Sequence, residues 1–481
     1  MIRWALKMWH GGIAGDRFLG IANSVQSAKN VDLRKNGRQI VLAKKMVRNA
    51  SGIIADLPMA KVTIQSTGDV VAFGDTGKIY RQAAGTGDFA LVYTDTSNRR
   101  ITDAYEYNSY LYWTTSSNLH RIAVANIDAS WSGDVTENYK TFTAGNATHH
   151  PMIEVYNNLF IGDGRYVAKL DSLGVFTGNR LSIFADETVV GLTFNGSNLR
   201  ITSRRTTNVP YGRVYLWDCI SDDYNQFFTI KGLAPHAVIE KSNLDYIIAG
   251  NKPVLLASAG LDSQVIQELP GFDNNDSATF NHNTMTASES LVYFGACESG
   301  TNTINRGVWS YGAKNKNFPA CLGNEFTTSN GSSTDVVSVV HYSNGKIYAG
   351  WKNGSTYGID VVDNTLYAAT GEIVTRVWDA GMGDQKKELK KAKLSFATLA
   401  EGEQIDLYLR RNLSTSWGTA VLNVSYATLA DRNINYKELP TNALGDPFNF
   451  LEAKLVLTAG TNYGTTPAVC DLIIDSEPIE V

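Results

Sequence analysis

Between Val62 and Trp378 one pattern returns seven times. A hydrophobic strand ends in a turn such as Tyr-Asn-Ser or Asn-Gly. An aromatic-rich strand follows, then a second turn and a further apolar strand. The clearest copy runs from Ala104 to Trp131 (AYEYNSYLYWTTSSNLHRIAVANIDASW); others begin at Glu154 (EVYNNLFIGDGRYVAKLD) and Val339 (VVHYSNGKIYAGWKNGSTYGIDVV). A unit of roughly 35–50 residues made of four short strands is the signature of a β-propeller blade. The pattern predicts an all-β chain with a seven-bladed β-propeller, or six or eight blades if one copy is split or merged. The expected blades are 60–98, 100–145, 149–185, 187–233, 235–273, 283–329 and 334–380.

Such a ring has no free sheet edge except where the first blade meets the last, and that seam needs a fastener. Two stretches qualify: EIVTRVWDAG after Gly371, as the outer strand of the last blade, and the alternating QIVLAKKM, Gln39 to Met46. Composition agrees with an all-β chain. Tyr, Phe and Trp number 23, 18 and 9, and 42 glycines supply the positive-φ positions that tight turns need.

At 481 residues the chain is too long for one ordinary core. Residues 1–57, rich in Gly and turn residues, are expected to be an extended assembly segment, too short to bury a core alone. Residues 58–381 are expected to form the propeller. Past Gly381-Met382-Gly383 long alternating strands take over: Lys390 to Phe396, Gln404 to Asn412, Ala420 to Thr428, Phe450 to Ala459 and the C-terminus. Alternation puts Ile405, Leu407 and Leu409 on one side, as in a half-buried strand. Residues 382–481 are therefore expected to be a β-sandwich. The basic run Lys386 to Lys393 is expected to be a solvated linker or an edge strand.

A net charge of −4 offers no basic field for nucleic acid, and no apolar run is long enough for a membrane span. The N-terminus has no secretion-signal pattern, because Lys7 and His10 interrupt its apolar stretch. The four cysteines form no CxxC pair, and the expectation is free thiols. Cys297 and Cys321 flank one blade, so their pairing is left open.

Chemistry-bearing motifs are sparse. The seven histidines include no HExxH, and the adjacent His149 and His150 should point opposite ways on a strand rather than share a metal. His120 is expected to bond backbone near the channel. The acidic loops Asp273 to Asp276 and Ser221 to Asn225 suit turns better than calcium. Asp103, Asp163, Asp186, Asp245 and Asp360 fall where acids of a glycan-hydrolysing propeller can sit, yet spacing singles out no pair. No catalytic, metal-ligating or cofactor-binding residue is assigned, and no cofactor is expected. Trp113, Trp131, Trp217, Trp309 and Trp351 should pack between blades. Trp417, in the loop LSTSWGTA, should be more exposed and, with Arg410 and Arg411, is the candidate surface contact.

The run GGIAGDRFLGIANSVQSAKNVDLRKNGRQIVLAKK carries Asn30, Val31, Asp32, Leu33, Arg34 and Lys35. It resembles the opening of a family of tailed-bacteriophage virion proteins, in which a Gly-rich start leads through a similar N-(V/I)-D-(I/L)-R-K stretch into a propeller-like repeat region. The end of the chain is similar too: a Lys-rich linker, a long strand with Arg410-Arg411, and FLEAKLVLTA…TPAVCDLIID. The resemblance implies a structural component of a phage tail (tip, baseplate, nozzle or fibre), made in the host cytoplasm and carried in the virion. It implies Asn30, Asp32, Arg34 and Lys35 as an assembly segment, other tail proteins and a symmetric homo-oligomer as partners, and host attachment through a glycan or receptor. No family active site comes with it, so no enzyme is expected. The alternative is a carbohydrate-binding or glycan-hydrolysing propeller. A WD-type scaffold fits less well, because the blades lack regular Gly-His and Trp-Asp pairs.

Overall fold

The structure is a computed structural model. It describes every residue except 15, 20–22, 36–37, 49–53, 129, 146, 206–209, 231, 251, 261, 271, 273–279, 298–305, 315–316, 332–333, 335, 440–444 and 480–481. The chain is all-β and divides into two compact units: 1–46 with 309–327 and 362–481, and 47–308 with 328–361. The expected divisions at 57/58 and 381/382 give way to this arrangement because the chain crosses between units four times, at 46/47, 308/309, 327/328 and 361/362.

The second unit holds the seven inner strands of the propeller. Blades 1 to 5 are four-stranded antiparallel meanders whose spatial order is their chain order. Their first strands are Pro58–Thr63, Asp103–Tyr107, Met152–Val155, Thr188–Phe194 and Pro235–Lys241. Blade 6 opens with Met285–Ala287 and blade 7 with Val336–Ser343. Each of these seven inner strands touches the next, and the last touches the first, so the ring closes at seven.

Sequence sets the hairpins locally. Asn108 and Ser109, Tyr156 and Asn157, Ser242 and Asn243, and Asn344 and Gly345 all have positive φ at both turn residues. That is the type I′ turn, whose twist matches that of the paired strands. It joins first to second strand in blades 2, 3, 5 and 7.

Hydrophobic clusters then stack blade on blade. Ile64, Phe73 and Ile79 of blade 1 meet Leu111, Trp113 and Trp131 of blade 2, and Phe160 of blade 3 meets Trp217 of blade 4 edge-on. Trp113, Trp131, Trp217, Trp309 and Trp351 are all fully buried. Second strands also press on the next blade's inner strand. A Cβ at Gly350 would lie 2.8 Å from Cβ of Pro58, so only glycine lets blade 7 approach blade 1 this closely.

The fastener is Lys44–Arg48, the outer strand of the seventh sheet. Arg48 Nη2 donates to Tyr357 O at 2.7 Å. The tail of QIVLAKKM thus supplies the seam, and EIVTRVWDAG does not. Thr370–Thr375 belongs instead to the first unit, where it pairs with Val25–Lys29 and Leu451–Thr458. Its apolar Ile373 and Val374 are better buried in that double-sided position than on an exposed blade edge.

The first unit is the β-sandwich, and the N-terminal residues are part of it. One sheet runs Ile2–Leu6, Val469–Pro478, Lys387–Phe396, Tyr436–Glu438. The other contains Cys321–Phe326, Val25–Lys29, Thr370–Thr375, Leu451–Thr458, Gln404–Arg411 and Leu422–Ser425 in that order. Ile405, Leu407, Leu409, Leu455, Leu457, Leu472 and Ile474 fill its interior.

The basic run is an interior strand, not a linker or an edge. Leu389, Ala392, Leu394 and Phe396 point inward, and Lys387 is buried with its ammonium donating to Met382 O at 2.7 Å. Lys390 and Lys391 point outward to Glu388 and Glu438. Cys219, Cys297, Cys321 and Cys470 form no disulfide, so the open pairing of Cys297 and Cys321 is resolved against a bridge.

Candidate functional site

Inner strands that all run the same way give the propeller two chemically distinct axial ends. Where the strands finish, residues of blades 7, 1, 2 and 3 line a half-open pocket of about 750 Å³. Its wall begins with a chain of hydroxyls: Thr63 Oγ1 lies 2.8 Å from His341 Nε2 and donates to Ser343 Oγ at 2.7 Å. Burial, and then the charge of Lys61, push His341 down to about 3, so the ring is neutral. Lys61 is itself buried and held well below its usual value by desolvation, with Asp360 opposing. Its ammonium group has no hydrogen-bond partner among the described residues and lies 4.3 Å from the centre of the Tyr348 ring.

Glu106 and Glu154 bring two carboxylates to the rim, with Tyr105 and Tyr342 beside them. Glu106 Oε2 accepts from Gln65 N at 2.8 Å, which fixes its direction. A wall of hydroxyls, amides, carboxylates and tyrosine rings can hydrogen-bond hydroxyl or amine groups and pack on apolar ring faces. These residues had drawn no attention in the sequence. The signal that marks them is position, since Glu106, Tyr105 and Tyr342 precede the I′ turns of their blades.

The other end, where the inner strands begin, is an imidazole cluster. His149 Nδ1 and His282 Nδ1 are 3.1 Å apart, with ring centres at 4.9 Å and planes at 69°. His150 points elsewhere, its Nδ1 2.8 Å from Gly162 O. His236 Nε2 donates to Gly250 O at 3.1 Å. Asp103 Oδ1 accepts from Ala104 N and Asn283 Nδ2, and Oδ2 accepts from Met152 N at 3.0 Å. Burial raises Asp103 to about 7 despite those three donors. Among the described residues no group of three or more His, Cys, Asp or Glu is placed to hold a metal ion.

Of the five acids considered for hydrolysis, Asp103 alone lies on an inner strand. Asp163 accepts from Ala144 N, Asp186 pairs with Arg205, Asp245 with Arg200, and Asp360 takes the Trp351 indole N–H at 2.8 Å. They are held by structural partners, Asp245 by an arginine of the neighbouring blade 4, rather than gathered at one centre. His120 is also away from the channel: it sits on the third strand of blade 2, stacked on Trp113 and accepting from Asn138 N. In the loop Ser221 to Asn225, Asp218 caps the turn by accepting from Ile220 N and Ser221 N, and Asp222 pairs with Arg180. The loop Asp273 to Asp276 lies outside the described residues.

The residues singled out at the two ends of the chain are occupied within the first unit. Asn30 Oδ1 accepts from Thr327 N and Oγ1. Arg34 is buried, donating to Glu325 Oε2 at 2.7 Å, to Cys321 O and to Ser310 Oγ. Lys314 bridges Glu325 and Asp32 at 2.5 and 3.0 Å. Burial alone would raise Glu325, but Lys314 and Arg34 together hold it below the usual carboxylate range. Lys35 is exposed.

Trp417 is half-buried rather than exposed, because Arg410 lies over its ring at 4.1 Å. Arg410 in turn grips Glu452 at 2.8 and 2.9 Å, and Arg17 binds the same carboxylate. Arg411 is half-buried near Gly445. Among the described residues no helix is long and apolar enough to cross a membrane.

No family model matches the chain, and no curated protein does. Solved structures that it resembles include a computationally designed protein, Ika8 (11% identity, TM-score 0.43, covering 68% of this chain and 100% of that one). Others are Raptor from Chaetomium thermophilum (9%, 0.48, 67% and 30%) and a chain of the mitotic checkpoint complex (13%, 0.45, 66% and 94%).

Proposed function

We propose that this chain is a non-enzymatic structural component of a bacteriophage tail, made in the host cytoplasm and incorporated into the virion beside other tail proteins as a symmetric oligomer. The observation that supports this reading is where the resembling residues go. Asn30, Asp32 and Arg34 from the start of the chain and Leu451–Thr458 from its end belong to the same sandwich. A signature that looks like two separate sequence motifs is then one folding device. Pairing of Ile2–Leu6 with Val469–Pro478 joins strands more than 460 residues apart in sequence, which suits a part that must survive mechanical load. Copies around a symmetric tail would multiply a weak contact through effective concentration.

The test is electron microscopy of phage particles labelled with an antibody to the chain. Label at the tail in symmetric copies supports the reading; particles without the chain refute it.

A second reading, carbohydrate binding, is favoured by the half-open pocket of about 750 Å³ with its tyrosines and carboxylates. A glycan array probed with the isolated protein checks it, and Tyr105→Ala should abolish any signal that arises there. Both readings hold together if the pocket is the tail's contact with the host surface.

A further inference from the structure

Two buried side chains of blade 3 are left incomplete unless one of them carries an extra proton. The first is His150, just before the inner strand Met152–Val155 and fully buried. Both of its ring nitrogens face carbonyl oxygens. Nδ1 lies 2.8 Å from Gly162 O in its own blade. Nε2 lies 3.3 Å from Ser116 O, in the turn between the second and third strands of blade 2. A carbonyl oxygen accepts and never donates. A neutral imidazole has one N–H and one lone pair, so one of these contacts would set lone pair against lone pair. The imidazolium donates from both nitrogens and satisfies both.

The second is Asp163, at the end of the strand Asn158–Asp163 and also fully buried. Its Oδ2 accepts from Ala144 N at 2.8 Å, while its Oδ1 has no hydrogen-bond partner among the described residues. That oxygen lies 3.9 Å from His150 Nδ1, the one ion pair open to Asp163 among the described residues. A buried carboxylate without a counter-charge is costly, so the acid calls for the same proton as the ring.

The other groups around the ring supply no rival charge. Phe142, from the end of blade 2, stacks on it with centres 4.2 Å apart and planes at 16°. His149 turns away toward His282, and burial above all holds both of those rings neutral. Burial pulls His150 the same way, but Asp163 and the carbonyls of Gly162 and Ser116 all favour its charged form.

We propose that His150 is an imidazolium in the folded propeller and acts as a proton-operated latch, joining blade 3 to blade 2 through Ser116 O with Asp163 as its counter-ion. When the ring gives up its proton, the contact with Ser116 O is lost and Asp163 is left unpaired, so the seam between blades 2 and 3 loosens. A ring favoured in its charged form by folding adds stability that is complete below its ordinary value of about 6.5 and is lost as pH rises through the folded value. The latch stands independently of both functional readings.

The experiment uses the full chain with nitrogen-15-labelled histidine. At about pH 7.5, where an unperturbed histidine is mostly neutral, the spectrum should contain a ring with both nitrogens protonated. That signal should vanish in His150→Gln and in Asp163→Asn. Amide exchange, compared as protection factors, then reads the seam. Protection of peptides holding Ser116 and Met152–Val155 should fall about tenfold or more as pH is raised through the titration of that ring, the loss expected for one charge-assisted hydrogen bond. The seam of blades 4 and 5, held by Arg200 and Asp245, should keep its protection.

Should one variant fail to fold, the other identifies the signal, and the wild-type spectrum is decisive without either. Absence of a doubly protonated ring from the wild-type chain at that pH overturns the proposal. So does a signal that persists in the variants, or undiminished protection of the seam once the ring is neutral.

Discussion

The two units of this chain are built by opposite strategies. In the propeller every strand but the fastener pairs with a neighbour close in sequence, through turns such as Asn344-Gly345, and blades stack through Trp and Phe between them. In the sandwich the pairings join the ends of the chain: Leu6 faces Leu472, and Val25 faces Thr375. Both units carry buried ion pairs, Arg200 with Asp245 in the propeller and two clusters in the sandwich. Arg34, Glu325 and Lys314 form one ion cluster, and Arg17, Arg410 and Glu452 form another. Local pairing closes short loops at small entropic expense, whereas pairing across the whole chain must be rewarded by burial and by specific polar contacts. The propeller should therefore tolerate local damage gradually, and the sandwich should fail as one piece.

Deleting residues 2–43, which leaves the fastener strand Lys44–Arg48 in place, should do the most. Calorimetry should show loss of the sandwich transition while a propeller transition survives; survival of both would dissolve the contrast. Glu325→Ala, which leaves the buried Arg34 guanidinium without its carboxylate, should cost about 3–5 kcal/mol in denaturant unfolding.

In the propeller, Gly350→Val drives a side chain into Pro58 and Val339 and should cost about 1–3 kcal/mol. Gly345→Ala meets no atom within 4 Å, so only its φ of 75° matters, and the loss should be about 1–2 kcal/mol. Equal losses at these two glycines would mean that blade 7 does not press on blade 1 as described.

Acid and base should act on the units in opposite senses. Glu325 is depressed in the fold, so its contribution is present above the unfolded value of about 4.3 and is lost as pH falls through the folded one. Asp103 is raised to about 7, so the propeller binds an extra proton between about pH 4 and 7 and loses stability as pH rises through that window. Glu325→Gln should flatten the acid limb of the sandwich transition, and Asp103→Asn the neutral limb of the propeller transition. Exchanged effects would contradict the assignment of each group to its unit.

The same contrast explains what could be foreseen. Blades were legible because their information is local: Tyr-Asn-Ser at Tyr107 to Ser109 and Ser-Asn-Gly at Ser343 to Gly345 announce hairpins by themselves. The alternation of Ile405, Leu407 and Leu409 likewise announces a half-buried strand.

Partners hundreds of residues away leave no such mark. Lys387–Phe396 looked like a solvated or edge segment because Glu438 and the strand Val469–Pro478, which neutralise and cover it, lie far along the chain. Trp417 looked exposed because nothing near it in sequence shows that Arg410, held by Glu452, lies across its ring. Asp103 was picked out for chemistry and is in place on the axis, but its oxygens are filled by Ala104, Met152 and Asn283. Glu106 escaped notice because what distinguishes it, the Gln65 N–H that its carboxylate accepts, comes from another blade.

Amide hydrogen exchange resolved by peptide tests the shared folding of the chain's two ends most directly. Val25–Lys29 and Ile2–Leu6 should be protected to the same degree as Thr370–Thr375 and Val469–Pro478, and all four should open together on dilute denaturant. Rapid exchange of the first 46 residues while the C-terminal strands stay protected would contradict the account.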